Sequence, residues 1–250
     1  MARYFLRIAF DGTEFHGWQS QLNAHSVQTE VMNGMQKVLK DKLISILGCG
    51  RTDAGVHATD FYLHFDHANE DLETSPDVFF KLNRCFPHSI GLLGIKKLHE
   101  SAHARYDATS RTYQYHIHFE KNPFLVNRSW YSWVPMDIDK MNDCAKEIIQ
   151  VADFAAFQKT GAGSKTSMCT VTESIWEKTE NGIRYTVTAN RFLRNMVRAL
   201  VGTFAEVGKG KMTKEEFMEV FQSKDRRQAG ESVPPGGLYL VKVVYPYPVS

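Results

Sequence analysis

The sequence predicts an α+β protein of two ferredoxin-like (split βαβ) halves with mixed, mainly antiparallel sheets. Three observations carry this. Tyr4, Leu6, Ile8 and Phe10 alternate with Arg3, Phe5, Arg7 and Ala9, the period-two pattern of a half-buried strand. Val27, Val31, Met35 and Val38 then recur at helical spacing on one face. Finally, the first half reads β-α-β-β-α-β, the order of a split βαβ unit. The second half repeats a sheet with two helices loosely, without a repeat in the sequence itself. The expected division is an N-terminal α+β domain over 1–104 and a C-terminal α+β domain over 105–250.

Each element has a local reason. After the first strand, the loop from Asp11 through Gly12 and Gly17 to Trp18 and Gln19 is a turn with aromatics to pin it. Ser26 is placed to cap the first helix. An apolar run from Leu43 to Leu47 predicts a strand, and Phe61, Leu63 and Phe65 another. Ser75-Pro76 opens the second helix, with serine as cap and proline at the first position, and it should stop before Pro87. Ile90 to Leu98 closes the first half as a strand. In the second half, Tyr113, Tyr115, Ile117 and Phe119 alternate with polar residues, and Ser129 to Val134 is a short strand. Asp137 caps a helix carrying Ile138, Met141, Ala145 and Ile148. Residues 158–168, small, polar and basic, read as a mobile loop. Asn181-Gly182 marks a hairpin between Val171–Lys178 and Ile183–Ala189. Asn190 is expected to cap a long helix, Thr213 and Glu216 form a capping box, and Leu238 to Tyr245 is the last strand.

Composition bounds the function without choosing it. With 250 residues, 43% hydrophobic and 23% charged, the chain has the make-up of a globular protein. A net charge of +2 allows a local basic groove and does not demand one. No apolar run approaches the ~18 residues of a membrane span, so no membrane partner is expected. Cys49, Cys85, Cys144 and Cys169 are far apart with no CxxC, which fits free thiols in a reducing cytosol. The first residues enter a strand pattern directly, with no leader expected.

Asp53 is the first candidate for chemistry. It sits with Arg51 in a glycine-rich stretch, Gly48 to His57, expected to be a loop between strands. A carboxylate beside a guanidinium stays ionised and can act as base or nucleophile, and the arginine can hold a phosphate by a forked pair of bonds. From the residues alone, a plain turn is the alternative. Arg191, Arg194 and Arg198 gather on one flank of the expected helix from Asn190, either as a solvated face or as an RNA-backbone contact. Tyr113 and Tyr115 read as core or, for Tyr113, as a stacking ring. The pairs His64/His67, His99/His103 and His116/His118 lack cysteine or carboxylate partners at zinc-site spacing, so no metal is expected. Phosphate-loop, dinucleotide and nucleophile-elbow patterns are absent.

Taken together, these segments resemble the TruA family of tRNA pseudouridine synthases. The resemblance is carried by Gly50-Arg51-Thr52-Asp53-Ala54-Gly55-Val56-His57-Ala58. It extends to residues 10–19, 103–115, 190–203 and 236–241, so it covers nearly the whole chain. Cys49, Asp60-Phe61 and the loop around Ser164-Lys165-Thr166 depart from the family pattern.

The resemblance implies a pseudouridine synthase fold with the halves joined around a central cleft. It also implies isomerisation of uridine to pseudouridine at positions 38–40 of the tRNA anticodon stem-loop. Asp53 would be the nucleophile and Tyr113 would stack on the target uracil. Arg51, Arg191, Arg194 and Arg198 would face substrate or Asp53. No cofactor or metal is implied, and the partners are tRNA and a second copy of the chain in a homodimer. The alternatives are a non-catalytic RNA-binding or tRNA-folding factor, and a hydrolase working through an ester on Asp53.

Overall fold

The computed structural model describes residues 1–161, 163 and 165–249. The chain divides into two compact units: Met1–Thr109 with Leu240–Ser250, and Ser110–Tyr239. Both mix helices with strands that pair mostly antiparallel. Among the described residues there are five α-helices, and no helix is long and apolar enough to cross a membrane.

In the first unit, β1 (Ala2–Phe10) lies between β3 (His57–His67) and β4 (Ile90–Leu98), antiparallel to both. β2 (Leu47–Gly48) pairs with β3 through Leu47–His64 and Gly48–Leu63. Two helices complete the unit. α1 (Val27–Leu39) starts where the Ser26 hydroxyl accepts the Thr29 amide, and buries Val27, Val31 and Met35. α2 (Pro76–Cys85) starts at the Ser75 cap with proline in its first turn. Both starts lie where the capping residues place them.

One expected strand is much shorter than the hydrophobicity of Leu43 to Leu47 suggests. Only Leu47 and Gly48 are in β2, and Leu43 is 91% exposed. Ile44 and Ile46 are still buried, so the alternation is satisfied by an irregular segment without a ladder.

The second unit is built on β5 (Ser110–His118), β8 (Gly182–Ala189) and β7 (Val171–Thr179), antiparallel in that spatial order. The short β6 (Trp130–Tyr131) runs parallel to β5. Three helices pack here: α3 (Ile138–Glu147), α4 (Met196–Gly208) and α5 (Lys214–Ser223). A ladder of rings joins sheet to helices. Trp176 stacks on Tyr185 at 4.8 Å, Tyr185 meets Phe204 at 5.1 Å, and Phe204 stacks on Phe217 at 4.8 Å. Asn142 of α3 fixes the edge of β7, since its side chain both donates to and accepts from the Trp176 backbone. The α5 capping box closes through Thr213 and Glu216 as expected.

Two local readings change. The hairpin turn is Glu180-Asn181, with Gly182 already in β8. The helix expected from Asn190 begins only at Met196. Asn190 instead exchanges bonds with Thr170, its amide donating to the Thr170 carbonyl and its Oδ1 accepting the Thr170 amide. The helix is entered through Asn195, in the left-handed conformation at φ 68°. Asparagine tolerates that conformation, and the same short polar side chain that makes Asn190 a plausible cap lets it end a strand pair. In the 158–168 loop, Ala162 and Ser164 lie outside the described residues.

Candidate active site

Asp53 lies between β2 and β3, in a loop whose backbone is tied at several points. The Cys49 amide continues the β2–β3 pairing by donating to the Tyr62 carbonyl at 2.7 Å. The Val56 amide donates to the Asp53 carbonyl at 3.2 Å and closes a tight turn over Asp53. From the other side, the loop after β1 grips the same backbone. Trp18 N–H donates to the Thr52 carbonyl, Gly55 N–H to the Phe15 carbonyl, and Gly12 N–H to His57 Nδ1 at 3.0 Å. Gly17 is a second point of close approach, after Gly12, where a Cβ would stand 2.0 Å from the Val56 carbonyl oxygen. Gly17 sits at φ 90°, and a Cβ there would stand 2.4 Å from the Thr52 carbonyl oxygen. Trp18 anchors the gripping loop with its ring 4.2 Å from that of Phe61.

The consequence is a graded exposure along the loop. Thr52 and Val56 are buried, Asp53 is half-buried, and Arg51 and Ala54 are exposed. The Thr52 hydroxyl is buried with no hydrogen-bond partner among the described residues. A carboxylate held on a fixed backbone and still reachable from solvent is what a nucleophile or base needs. The roles of the Gly17–Trp18 segment and of His57 in holding the loop were not identified from sequence, where the first was a turn and the second part of a motif. The signal available was the closeness of two glycine-rich stretches on neighbouring strands.

In the second unit, Tyr113 lies on β5 opposite Val187 of β8. It is 9% exposed, and its ring meets Phe192 edge-on at 5.0 Å. Phe192, which nothing in the local sequence pattern marks, thus orients the Tyr113 ring. Tyr115, two residues on, is fully buried and donates its hydroxyl to the Pro234 carbonyl at 2.8 Å.

The three arginines are not one helical stripe, because the chain is not helical before Met196. Arg191 precedes the helix and donates to the Thr166 carbonyl. Arg194 is exposed in the turn before the helix, and its carbonyl accepts the Lys159 amide. Arg198 is half-buried in the first turn of α4, and its Nε donates to the Val233 carbonyl at 2.7 Å.

Of the histidine pairs, His64 and His103 come together with rings 4.6 Å apart, as part of the folded framework. His64 Nδ1 accepts the Ala104 amide, and His103 Nδ1 accepts the amides of Arg105 and Tyr106. Burial holds His64 far below the usual imidazole range, down to about 4. Among the described residues no group of three or more His, Cys, Asp or Glu side chains is placed to hold a metal ion.

Comparison with known proteins bears on the whole chain. A family model described as tRNA pseudouridine synthase matches residues 145–246. The tRNA pseudouridine synthase A of Bacteroides thetaiotaomicron is 42% identical over 249 residues, covering 98% of this chain and 91% of that protein. The enzyme of the same name from Bacteroides fragilis is 41% identical over 245 residues, covering 98% and 96%. That of Porphyromonas gingivalis is 38% identical over 249 residues, covering 98% of each. With this identity sustained from end to end around a fixed, reachable Asp53, the chain belongs to the tRNA pseudouridine synthase A family.

Proposed function

We propose that the protein isomerises uridine to pseudouridine at positions 38–40 of the tRNA anticodon stem-loop, with Asp53 as nucleophile. The observation that carries this reading is the Asp53 loop, gripped from both sides at the backbone while the carboxylate stays reachable. It is joined to end-to-end similarity with proteins named for the reaction. The target nucleotide leaves its stack at a cost of a few kcal/mol, on the order of what a specific pocket recovers. Tyr113 stacks on the extruded uracil, with Phe192 setting its ring. Asp53 attacks C1′ of the ribose or C6 of the base. The N1–C1′ bond breaks, the uracil turns, and a C5–C1′ bond forms. The C5 proton goes to solvent and N1 takes up a proton, so atoms balance without a redox cofactor or metal.

Arg51, exposed two residues before Asp53, holds the phosphate backbone of the flipped nucleotide by charge and forked hydrogen bonds. Arg191, Arg194 and Arg198 serve the same RNA. The strand order β4-β1-β3, with β2 paired to β3 and two helices between, supports a split βαβ reading of the first unit. A homodimer and a cytoplasmic setting belong to the same proposal, the latter in keeping with four cysteines outside any disulfide.

The test is tritium release from tRNA transcripts carrying uridine labelled at C5, with Asp53→Asn beside the wild type. Release by the wild type and none by the variant, with tRNA still bound by both, is the expected result. Equal release by the two would remove Asp53 from the chemistry. Binding by both with no release by either would favour the RNA-binding alternative. Light scattering with and without tRNA reads the homodimer.

A further inference from the structure

After α5 the chain does not leave the second unit at once. Residues 226–234 form a strap, of which 230–233 lie along the first half of α4 and are fastened there at successive points. Arg226 folds this strap on itself. Its Nη1 donates to the carbonyls of Ala229 and Gly230, at 3.2 and 3.0 Å, and its Nη2 donates to the Ser232 hydroxyl at 2.8 Å. The Ser232 hydroxyl also accepts from Asn195 Nδ2 at 2.6 Å, which ties the strap to the residue that starts α4. Thr203 Oγ1 accepts the Gly230 amide at 2.9 Å. The backbones press so close that a Cβ on Gly202 would stand 1.8 Å from the Glu231 carbonyl oxygen. At the far end the strap and Arg198 bond to each other twice: Arg198 Nε donates to the Val233 carbonyl, and the Val233 amide donates to the Arg198 carbonyl. The next carbonyl, that of Pro234, accepts the Tyr115 hydroxyl on the strand that carries Tyr113.

A planar guanidinium is the one side chain that can span two carbonyls and a hydroxyl with fixed directions. Arg226 has no carboxylate among these partners, so its charge is spent on the strap and not on an ion pair. Burial accordingly lowers its affinity for the proton. We propose that Arg226 is a positioning residue for the isomerisation: it holds the strap in the shape that docks on α4, so that Val233 holds the Arg198 guanidinium in its working orientation. This rests on the reading of Arg198 as a substrate-side group. Misplacing a positioned group by about 1 Å can cost on the order of 100-fold in rate.

The experiment is a double-mutant cycle on tRNA turnover, with melting temperature measured for every variant. Arg198→Ala is expected to lower kcat/KM by roughly 100-fold and Arg226→Met by roughly 10-fold. The two should divide their losses between kcat and KM in the same way. The double variant should be no worse than Arg198→Ala alone, because Arg226 acts only through Arg198. Ser232→Ala, which removes one acceptor shared by Arg226 and Asn195, gives the same comparison should Arg226→Met fail to fold. Turnover by Arg226→Met at the wild-type rate, or losses that multiply in the double variant, would overturn the proposal. Wild-type turnover by Arg198→Ala would overturn the reading of Arg198 itself, and the proposal with it, and is visible in that single variant before any double is made.

Discussion

At the scale of single residues, the loop that presents Asp53 depends on side chains that are absent. Gly17 accepts a positive φ at no cost and leaves room for the Thr52 carbonyl. Gly17→Ala is therefore expected to destabilise the fold by roughly 2 kcal/mol and to lower turnover more than it lowers tRNA affinity. Urea denaturation beside steady-state kinetics reads both, and an alanine variant as stable and active as the wild type would refute the account. Asp60 makes the complementary case. It stands where the resemblance leads one to expect glycine, and it is 5% exposed. Its carboxylate accepts from Arg7 Nε at 2.7 Å and from the Val243 amide at 2.9 Å. Asp60→Ala leaves a buried amide without a partner, with a loss of roughly 2–3 kcal/mol, since the half-exposed arginine is partly screened by water. Denaturant unfolding measures it, and a loss under about 0.5 kcal/mol would mean that water replaces the carboxylate.

Among the elements, most strands and the capped helices were legible because their signals are local. Ser75-Pro76, Asp137, and Thr213 with Glu216 each start a helix where sequence placed them. What was not legible was set by contacts distant in sequence. Asn190 has every property of a cap, yet Thr170 claims it, and the arginine stripe drawn on that helix dissolves with the helix start. The grip of the Gly17–Trp18 turn on the Asp53 loop likewise depends on β1 and β3 being neighbours. A further element, the 99–107 segment, yields a pH prediction. It is held against β3 by the Ala104 amide on His64 Nδ1, with Arg3, His103, Asp66 and Asp107 as charged or titratable neighbours. In the unfolded chain His64 takes its proton near 6.5, and in the fold only near 4. Between those values the unfolded form binds more protons, so the full stability present above about 6.5 falls as pH drops toward 4. At roughly 1.4 kcal/mol per pKa unit, the total is at most about 3.5 kcal/mol. His103 is shifted in the same direction, while Asp66 and Asp107 are lowered by their partners and act only at still lower pH. Urea midpoints at pH 7 and pH 5.5 should differ for the wild type and much less for His64→Phe. Equal pH dependence in the two would assign the effect elsewhere.

For the whole molecule, the order of the chain constrains how the first unit is made. It is made of residues Met1–Thr109 and, from the far end of the chain, Leu240–Ser250. The Val244 carbonyl accepts the Thr109 amide at 2.8 Å. Tyr245 and Tyr247 donate their hydroxyls to the Ala104 carbonyl and to Asp107, each at 2.6 Å. Phe5 of β1 packs edge-on against both tyrosine rings, at 5.3 and 6.4 Å. The second unit draws nothing of its own ring ladder from these residues. The cysteines report on the two units separately. Cys49 and Cys85 belong to the first, Cys144 and Cys169 to the second, and all but Cys85 are buried. Burial pushes Cys144 and Cys169 up to about 11, so both are protonated and slow to react at neutral pH. In the intact protein only Cys85 should be modified quickly by a thiol reagent. A chain ending at Tyr239 should in addition expose Cys49 within the same labelling time, while Cys144 and Cys169 stay protected. It should also have lost turnover, since the Asp53 loop begins at Cys49. Mass spectrometry of the labelled peptides decides it. Cys49 as well protected in the shortened chain as in the whole would show that the first unit closes without residues 240–250, and that the Asp53 loop is set by residues 1–109 alone.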